Sequence, residues 1–166
     1  MDRTELQAVQ APLKERYRDD PAAALVTLRA AGTLGADGVS CSVATGKALV
    51  EAGLHPATGG TGTLACSGDM LLEALAACAG VTLRAVATAM GVAVEGTVHV
   101  EGDLDFRGTL GVARDENVPV GFKAIRVRFE LAHSESEATI RRLLATTERY
   151  CVVYQTLADG VPIVLA

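Results

Sequence analysis

An α+β fold is what this sequence predicts, and three observations predict it. Alternating residues around Gly35-Ala36-Asp37-Gly38 read as a strand hairpin, an apolar run over 68–90 has the length of a long helix, and a charged amphipathic run over 135–150 reads as a second one. Strand patterns lie between the two helices.

In chain order, residues 4–18 place Leu6, Val9, Leu13 and Tyr17 on one helical stripe, with Lys14, Glu15, Arg16 and Arg18 largely off it. Pro12 inside the run predicts a kink or a late start, and Asp19-Asp20-Pro21 ends it. Strands are expected at 22–31 and 37–44, where Leu25–Arg29 and Val39–Val43 alternate, with a short third strand at 47–51. His55 to Gly62 is a loop by composition.

The first long helix should run over 68–90, with Ser67 as N-cap, Asp69 complementing the dipole and Gly91 as the stop. Leu71, Leu75, Cys78, Thr82 and Val86 share one face. Arg84 is the only charge between Ala74 and Val94, so the run invites a membrane reading. Yet it is mostly Ala, Gly and Thr, and Arg84 would cost about 2.5–3.5 kcal/mol in a bilayer. It reads as a soluble helix buried on most sides.

Strands are expected again at 92–101, 104–108 and 124–132, the last alternating as Ile125, Val127, Phe129 and Leu131. The second helix, 135–150, takes Ser134 as N-cap and sets Ile140, Leu143, Leu144 and Thr147 on one face. Gly160 precedes a final strand at 161–166. No internal repeat, linker or low-complexity tract is seen.

The 166 residues suit one domain, which would bury about 70% of the surface of its unfolded chain. Hydrophobic residues make up 49% and aromatic ones only 4%, with no Trp, so the core must be built from Val, Leu and Ala. A net charge of −5 argues against nucleic acid or an anionic membrane surface as partner. The first residues, Met1-Asp2-Arg3-Thr4-Glu5-Leu6-Gln7, carry no apolar leader, and a cytoplasmic location is expected.

Four cysteines (41, 66, 78 and 151) form no CxxC unit, and the histidines (55, 99 and 133) lie in separate segments. Zinc spacing is absent, and no metal or cofactor is expected. Cys78 reads either as a small buried hydrophobe or as a nucleophile. It lies roughly 15 Å into its helix, too deep for that helix's own N-terminus to activate it. An activator would come from another element, and Arg29, His55 and Arg149 are the candidates. Cys151, beside Glu148 and Arg149, is either a partly accessible thiol or a helix-end core position, and Glu148-Arg149 is most simply solvated surface. Cys41 reads as core filler, and Cys66 stays open. The loop Gly59-Gly60-Thr61-Gly62 lacks the context of a phosphate cradle and reads as a flexible approach to the helix. His55 is a base, a turn residue or neither.

Ser67-Gly-Asp-Met-Leu-Leu-Glu-Ala-Leu-Ala-Ala-Cys78, followed by Val81-Thr-Leu-Arg84, resembles the OsmC/Ohr family. The preceding hairpin and Gly-rich loop, Val120-Gly-Phe122 before a strand, and Cys151 ahead of Thr156-Leu157 carry the same likeness. It spans roughly 22–166, and the N-terminal helix is similar to that of the extended OsmC-like branch. The resemblance implies an OsmC-like α+β fold over 1–166. Residues 1–21 would be a helical extension, 22–66 the first strands and Gly-rich loop, and 67–166 a helix–strands–helix–strand block. It also implies an intertwined homodimer in which two long Cys-bearing helices pack on antiparallel sheets, with active sites at the subunit interface.

The activity so implied is thiol-dependent reduction of organic hydroperoxides. Cys78 matches the peroxidatic cysteine and Cys151 the resolving one, and a dithiol or lipoylated protein would reduce the disulfide. The chain departs from the family at three places. The catalytic Glu falls on Gly68, the usual Cys-Pro-Val is Cys151-Val152-Val153, and Arg29 is the nearest match to the activating Arg. Two rival readings use the same fold: a dimer that binds a small apolar ligand with inert cysteines, and a redox sensor whose disulfide alters dimer packing.

Overall fold

The computed structural model describes residues 2–5, 7–8, 10–11, 32–34, 40–44, 49–111 and 118–165. Its elements fall into two compact units, each discontinuous in sequence. The first holds Met1–Thr27, Leu75–His99 and Arg128–Ala166, and the second Leu28–Ala74 and Val100–Val127.

In the first unit, residues 3–11 are helical wherever described (α1), so the expected N-terminal helix starts early in the chain. Its continuation to residue 18, and the predicted strand at 22–31, lie outside the described residues. The long helix α2 (Ser67–Met90) takes Ser67 as its first residue rather than as a cap. It ends as predicted at Gly91, whose φ of 70° is open to glycine at little cost. The Gly91 and Val92 N–H groups donate to Thr88 and Ala87 carbonyls at 3.1 and 2.9 Å, a Schellman closure.

The buried stripe of α2 is Leu75, Ala79, Leu83 and Ala87, an i, i+4 row. It corrects the expected face: Leu71 is exposed, and Cys78 sits beside the row. Leu83 and Ala87 pack with Val94 and Leu143, and around them stand Phe129, Leu131, Ile140 and Leu144. Two alanines in the row let the elements approach closely, which is how a chain poor in aromatics fills a core. The helix is long and apolar enough to cross a membrane by length and composition, and only 22% of its most apolar window is buried. In one chain, then, α2 is covered along a single stripe and not on most sides.

α4 (Glu137–Tyr150) is capped by Ser136, whose hydroxyl oxygen accepts the Thr139 N–H at 3.2 Å. Ser134 lies two residues too early, because only Ser136 has extended backbone directly before the first helical turn. Leu143 and Thr147 are fully buried, on the expected face. A helix not foreseen, α5 (Val152–Asp159), follows, and Val161–Leu165 forms no strand. That tail is apolar yet open to solvent, with Leu165 98% exposed, so in one chain it has no ladder to join.

In the second unit, β1 (Gly32–Leu34), β2 (Ser40–Ala44), β3 (Leu49–Gly53) and β4 (Ala65–Cys66) form one sheet in that order. β1/β2 and β2/β3 are antiparallel, and β3/β4 is parallel with Gly53 opposite Cys66. The predicted strands at 37–44 and 47–51 are thus present, and β2 pairs with 32–34 on one side and with β3 on the other. Within the Gly-rich loop, a Cβ on Gly60 would lie 1.7 Å from the Leu54 carbonyl oxygen, so the chain can pass there only as glycine.

β5 (Glu95–Leu104) and β6 (Phe122–Ala132) form a two-stranded sheet, and β6 leaves Ile125, Val127, Phe129 and Leu131 half-buried in alternation with exposed residues, as predicted. The expected strand at 104–108 is a helical turn, α3 (Phe106–Thr109). Asp105 stops β5 because its carboxylate accepts the Arg107 N–H at 3.2 Å and the guanidinium Nη2 at 2.7 Å.

Candidate functional site

Cys151 is placed by a break between two helices. Its N–H still donates to the Thr147 carbonyl at 2.9 Å, closing α4, but its own backbone is extended (φ −77°, ψ 107°). The Gln155 N–H then donates to the Cys151 carbonyl at 3.0 Å and starts α5. Of the two readings of Cys151, the helix-end core position holds: the residue closes α4, joins it to α5 and is 1% exposed. Its side chain does not cap α5, so the first N–H groups of that helix are free to point elsewhere.

Their influence is felt by two thiols. Burial pushes the Cys78 thiol up, but hydrogen bonds to its sulfur outweigh burial. The donors are the Val153 N–H, the Cys151 thiol, the Thr82 hydroxyl and the Val152 N–H, and the net result lies below the ordinary thiol value of 9.0. Cys151 moves the other way. Burial raises it, the Tyr154 and Val153 N–H groups oppose that, and the neighbouring Cys78 sulfur raises it further.

The pair thus divides its roles by environment: Cys78 gives up its proton first, and Cys151 keeps its own and donates it to the Cys78 sulfur. Both are free thiols. The sequence offers cations as activators, whereas the donors among the described residues are the amino end of α5, one hydroxyl and the partner thiol. The signal lay in the Val-Val after Cys151: a proline at 152 would carry no N–H.

Three residues fasten the hinge. The Gln155 side chain donates from Nε2 to the Glu148 carbonyl at 3.0 Å, tying α5 to the last turn of α4. The Tyr154 hydroxyl donates to the Glu148 carboxylate, which raises the phenol above its ordinary value. Glu148 and Arg149 are exposed, as expected, and Glu148 also serves as the anchor of the turn. Its neighbour Arg149 lies over the Tyr150 ring, 5.6 Å from its centroid.

Of the other candidates, Arg29 lies outside the described residues. The backbone of Cys41 stands in β2 opposite Ala52. His55 belongs to the second unit, where its ring stacks on Phe106 at 4.7 Å and its Nδ1 accepts the Ala57 N–H at 3.0 Å. It is thus a turn residue, as one of its three readings held. Cys66 lines a cavity in that unit, and Gly68 stands in the cavity wall. Among the described residues, no three His, Cys, Asp or Glu side chains gather as a metal ion would require.

A family model described as OsmC-like protein matches residues 60–166. The chain belongs to the OsmC-like family. Solved structures agree in fold. An OsmC-like protein from Mycoplasma pneumoniae is 21% identical, with a TM-score of 0.66 over 82% of this chain and 89% of that one. An organic hydroperoxide resistance protein OsmC from Legionella pneumophila is 17% identical, with a TM-score of 0.59 over 82% and 93%. The organic hydroperoxide resistance protein OhrB of Bacillus subtilis is 18% identical, with a TM-score of 0.51 over 82% and 93%. No curated protein sequence matches the chain. At these identities the likeness shows the fold, an OsmC-like α+β fold.

Proposed function

We propose that this protein reduces organic hydroperoxides with thiol reductant, Cys78 attacking and Cys151 resolving. The observation that carries the reading is the juxtaposed thiol pair whose members are shifted in opposite directions. The names of the Legionella and Bacillus structures support the same chemistry at family level.

The Cys78 thiolate attacks the terminal oxygen of R–OOH. The S–O bond forms, the O–O bond breaks, and the alkoxide leaves with a proton as the alcohol. Cys78 is now a sulfenic acid, S–OH. The Cys151 sulfur displaces its oxygen, forming the disulfide and releasing water, with the Cys151 proton completing that water. A dithiol or lipoylated-protein dithiol returns both thiols and leaves as its own disulfide. The amino end of α5 serves the first step, because N–H dipoles stabilise the thiolate without adding a competing base.

A homodimer in the cytoplasm belongs to this reading. The dimer is supported by the small buried fraction of α2 and the bare apolar tail Val161–Leu165. A folded monomer by light scattering at micromolar concentration would argue against it.

The function is tested by thiol titration after a stoichiometric pulse of cumene hydroperoxide. Loss of two thiols per chain, with turnover on adding a dithiol, is expected. Thiol loss without turnover would favour the redox-sensor reading, and no loss the inert ligand-binding one.

A further inference from the structure

Beside the buried row of α2 runs a second row at four-residue steps, Cys78, Thr82, Val86 and Met90, all half-buried. Val86 and Met90 pack against the core cluster, so the thiol and the hydroxyl are the two polar groups of the row. Other helical threonines fasten themselves to their own backbone. Thr88, Thr146 and Thr147 donate to the carbonyls of Arg84, Arg142 and Leu143, four residues back, at 2.8, 2.7 and 2.9 Å. For Thr82 the residue four back is Cys78, which offers a sulfur as well as a carbonyl. The Thr82 hydroxyl goes to the sulfur. On one helix face, with Cβ atoms about 5–6 Å apart, the two side chains meet without the movement of any other element.

The donors around the pair do not all serve the same sulfur. The Val153 N–H acts on both. The Cys151 thiol is a donor to Cys78 only until it resolves the sulfenic acid. Cys151 itself is governed by burial, the Tyr154 N–H, the Cys78 sulfur and the Val153 N–H. Thr82 acts on Cys78. A hydroxyl beside one sulfur of a close pair leaves the shared proton on the other.

We propose that Thr82 is a catalytic residue: its hydroxyl donates to the Cys78 sulfur and makes Cys78, rather than Cys151, the nucleophile of the pair. The inference deepens the hydroperoxide reading and rests on it for the step that the thiolate performs.

Iodoacetamide labelling of both cysteines against pH, resolved by peptide mass spectrometry, tests it in the full chain. The wild type is compared with Thr82→Val, Thr82→Ala and Thr82→Ser, each checked for its fold by circular dichroism. Thr82→Val keeps the branched shape and removes the hydroxyl. Losing a hydrogen bond to a charged group lowers the thiolate population by about tenfold. A less stabilised thiolate regains about threefold in intrinsic nucleophilicity. Cys78 in Thr82→Val should therefore label about threefold more slowly at neutral pH and about threefold faster on its alkaline plateau, so that the two profiles cross. The ratio of Cys78 to Cys151 labelling at neutral pH should fall. Thr82→Ala should match Thr82→Val, and Thr82→Ser should restore the wild-type profile. An unchanged Cys78 profile in Thr82→Val, or a changed one in Thr82→Ser, would overturn the proposal. No hydroperoxide enters this measurement, so a failure to turn over cumene hydroperoxide would defeat the hydroperoxide reading and leave the Thr82 result standing.

Discussion

Cys78 and Cys151 carry the same side chain in two different settings. The middle of α2 offers Cys78 no donor from its own helix except the Thr82 hydroxyl, so its stabilisation arrives from α5 and from the partner thiol. Cys151 sits where the chain changes helices, fully buried, with a polarised sulfur beside it that holds its proton on. The difference teaches that position along a helix does not decide thiol chemistry. What decides it is which unpaired N–H groups the next element aims at the sulfur, and a helix break supplies several at once.

The largest effects come from erasing one member of the pair. Cys78→Ser should bring hydroperoxide consumption to the uncatalysed rate. Cys151→Ser should keep one turnover and then accumulate Cys78 as a sulfenate or mixed disulfide, read by intact mass. Equal consumption by the Cys78→Ser protein would remove Cys78 from the chemistry.

A smaller and more selective change deletes one donor. Val152→Pro removes an N–H at the first position of α5, where proline fits a helix, and the extended backbone of Cys151 already suits a following proline. The Val152 N–H is the smallest of the four contributions that lower Cys78, so its loss should cost less than about 1.5 kcal/mol, under roughly one pKa unit. Cys78 should therefore titrate higher, and its attack at neutral pH should slow by up to about tenfold. The melting temperature should change little, as circular dichroism would report.

Smaller still is the hinge clamp. Tyr154→Phe keeps the ring and removes the hydroxyl that donates to Glu148. The expected cost is about 0.5 kcal/mol, roughly a twofold slower attack, with the Cys78 pH profile displaced upward. A loss of stability with no displacement of that profile would separate the clamp from the thiol.

The pH dependence of stability sharpens the same contrast. For Cys78 the folded value is depressed, so its stabilisation is present above the unfolded thiol value near 9.0 and is lost as pH falls through the folded value. For Cys151 the folded value is raised, so its contribution is present below about 9.0 and is lost as pH rises through the folded value. Denaturant melts across that window should show both trends in the reduced protein and neither in the disulfide form.

Much of this could be read from residues. The alternation over Ile125–Leu131 fixed the inward face of β6, and Gly91 fixed the end of α2, because local sterics alone decide both. The motif around Cys78 carried the family. The chain after Tyr150 was harder: Cys-Val-Val-Tyr-Gln has strand-like side chains, and only the tertiary capping of Glu148 by Gln155 and Tyr154 makes it a helix start. The Leu104–Gly108 misreading has the same form, since Asp105 breaks an otherwise plausible strand. The buried stripe of α2 is not legible in the sequence because the run is apolar nearly all round, and periodicity cannot choose a face when every face qualifies.

The central claim is that Cys78, and not Cys151, is the thiolate of the pair. The pH profile of iodoacetamide labelling, resolved by peptide mass spectrometry in the reduced wild-type protein, tests it most directly. Cys78 should reach half-maximal labelling below pH 9.0, with Cys151 following only above it. Half-maximal labelling of Cys78 at or above pH 9.0, or of Cys151 ahead of Cys78, would contradict the account.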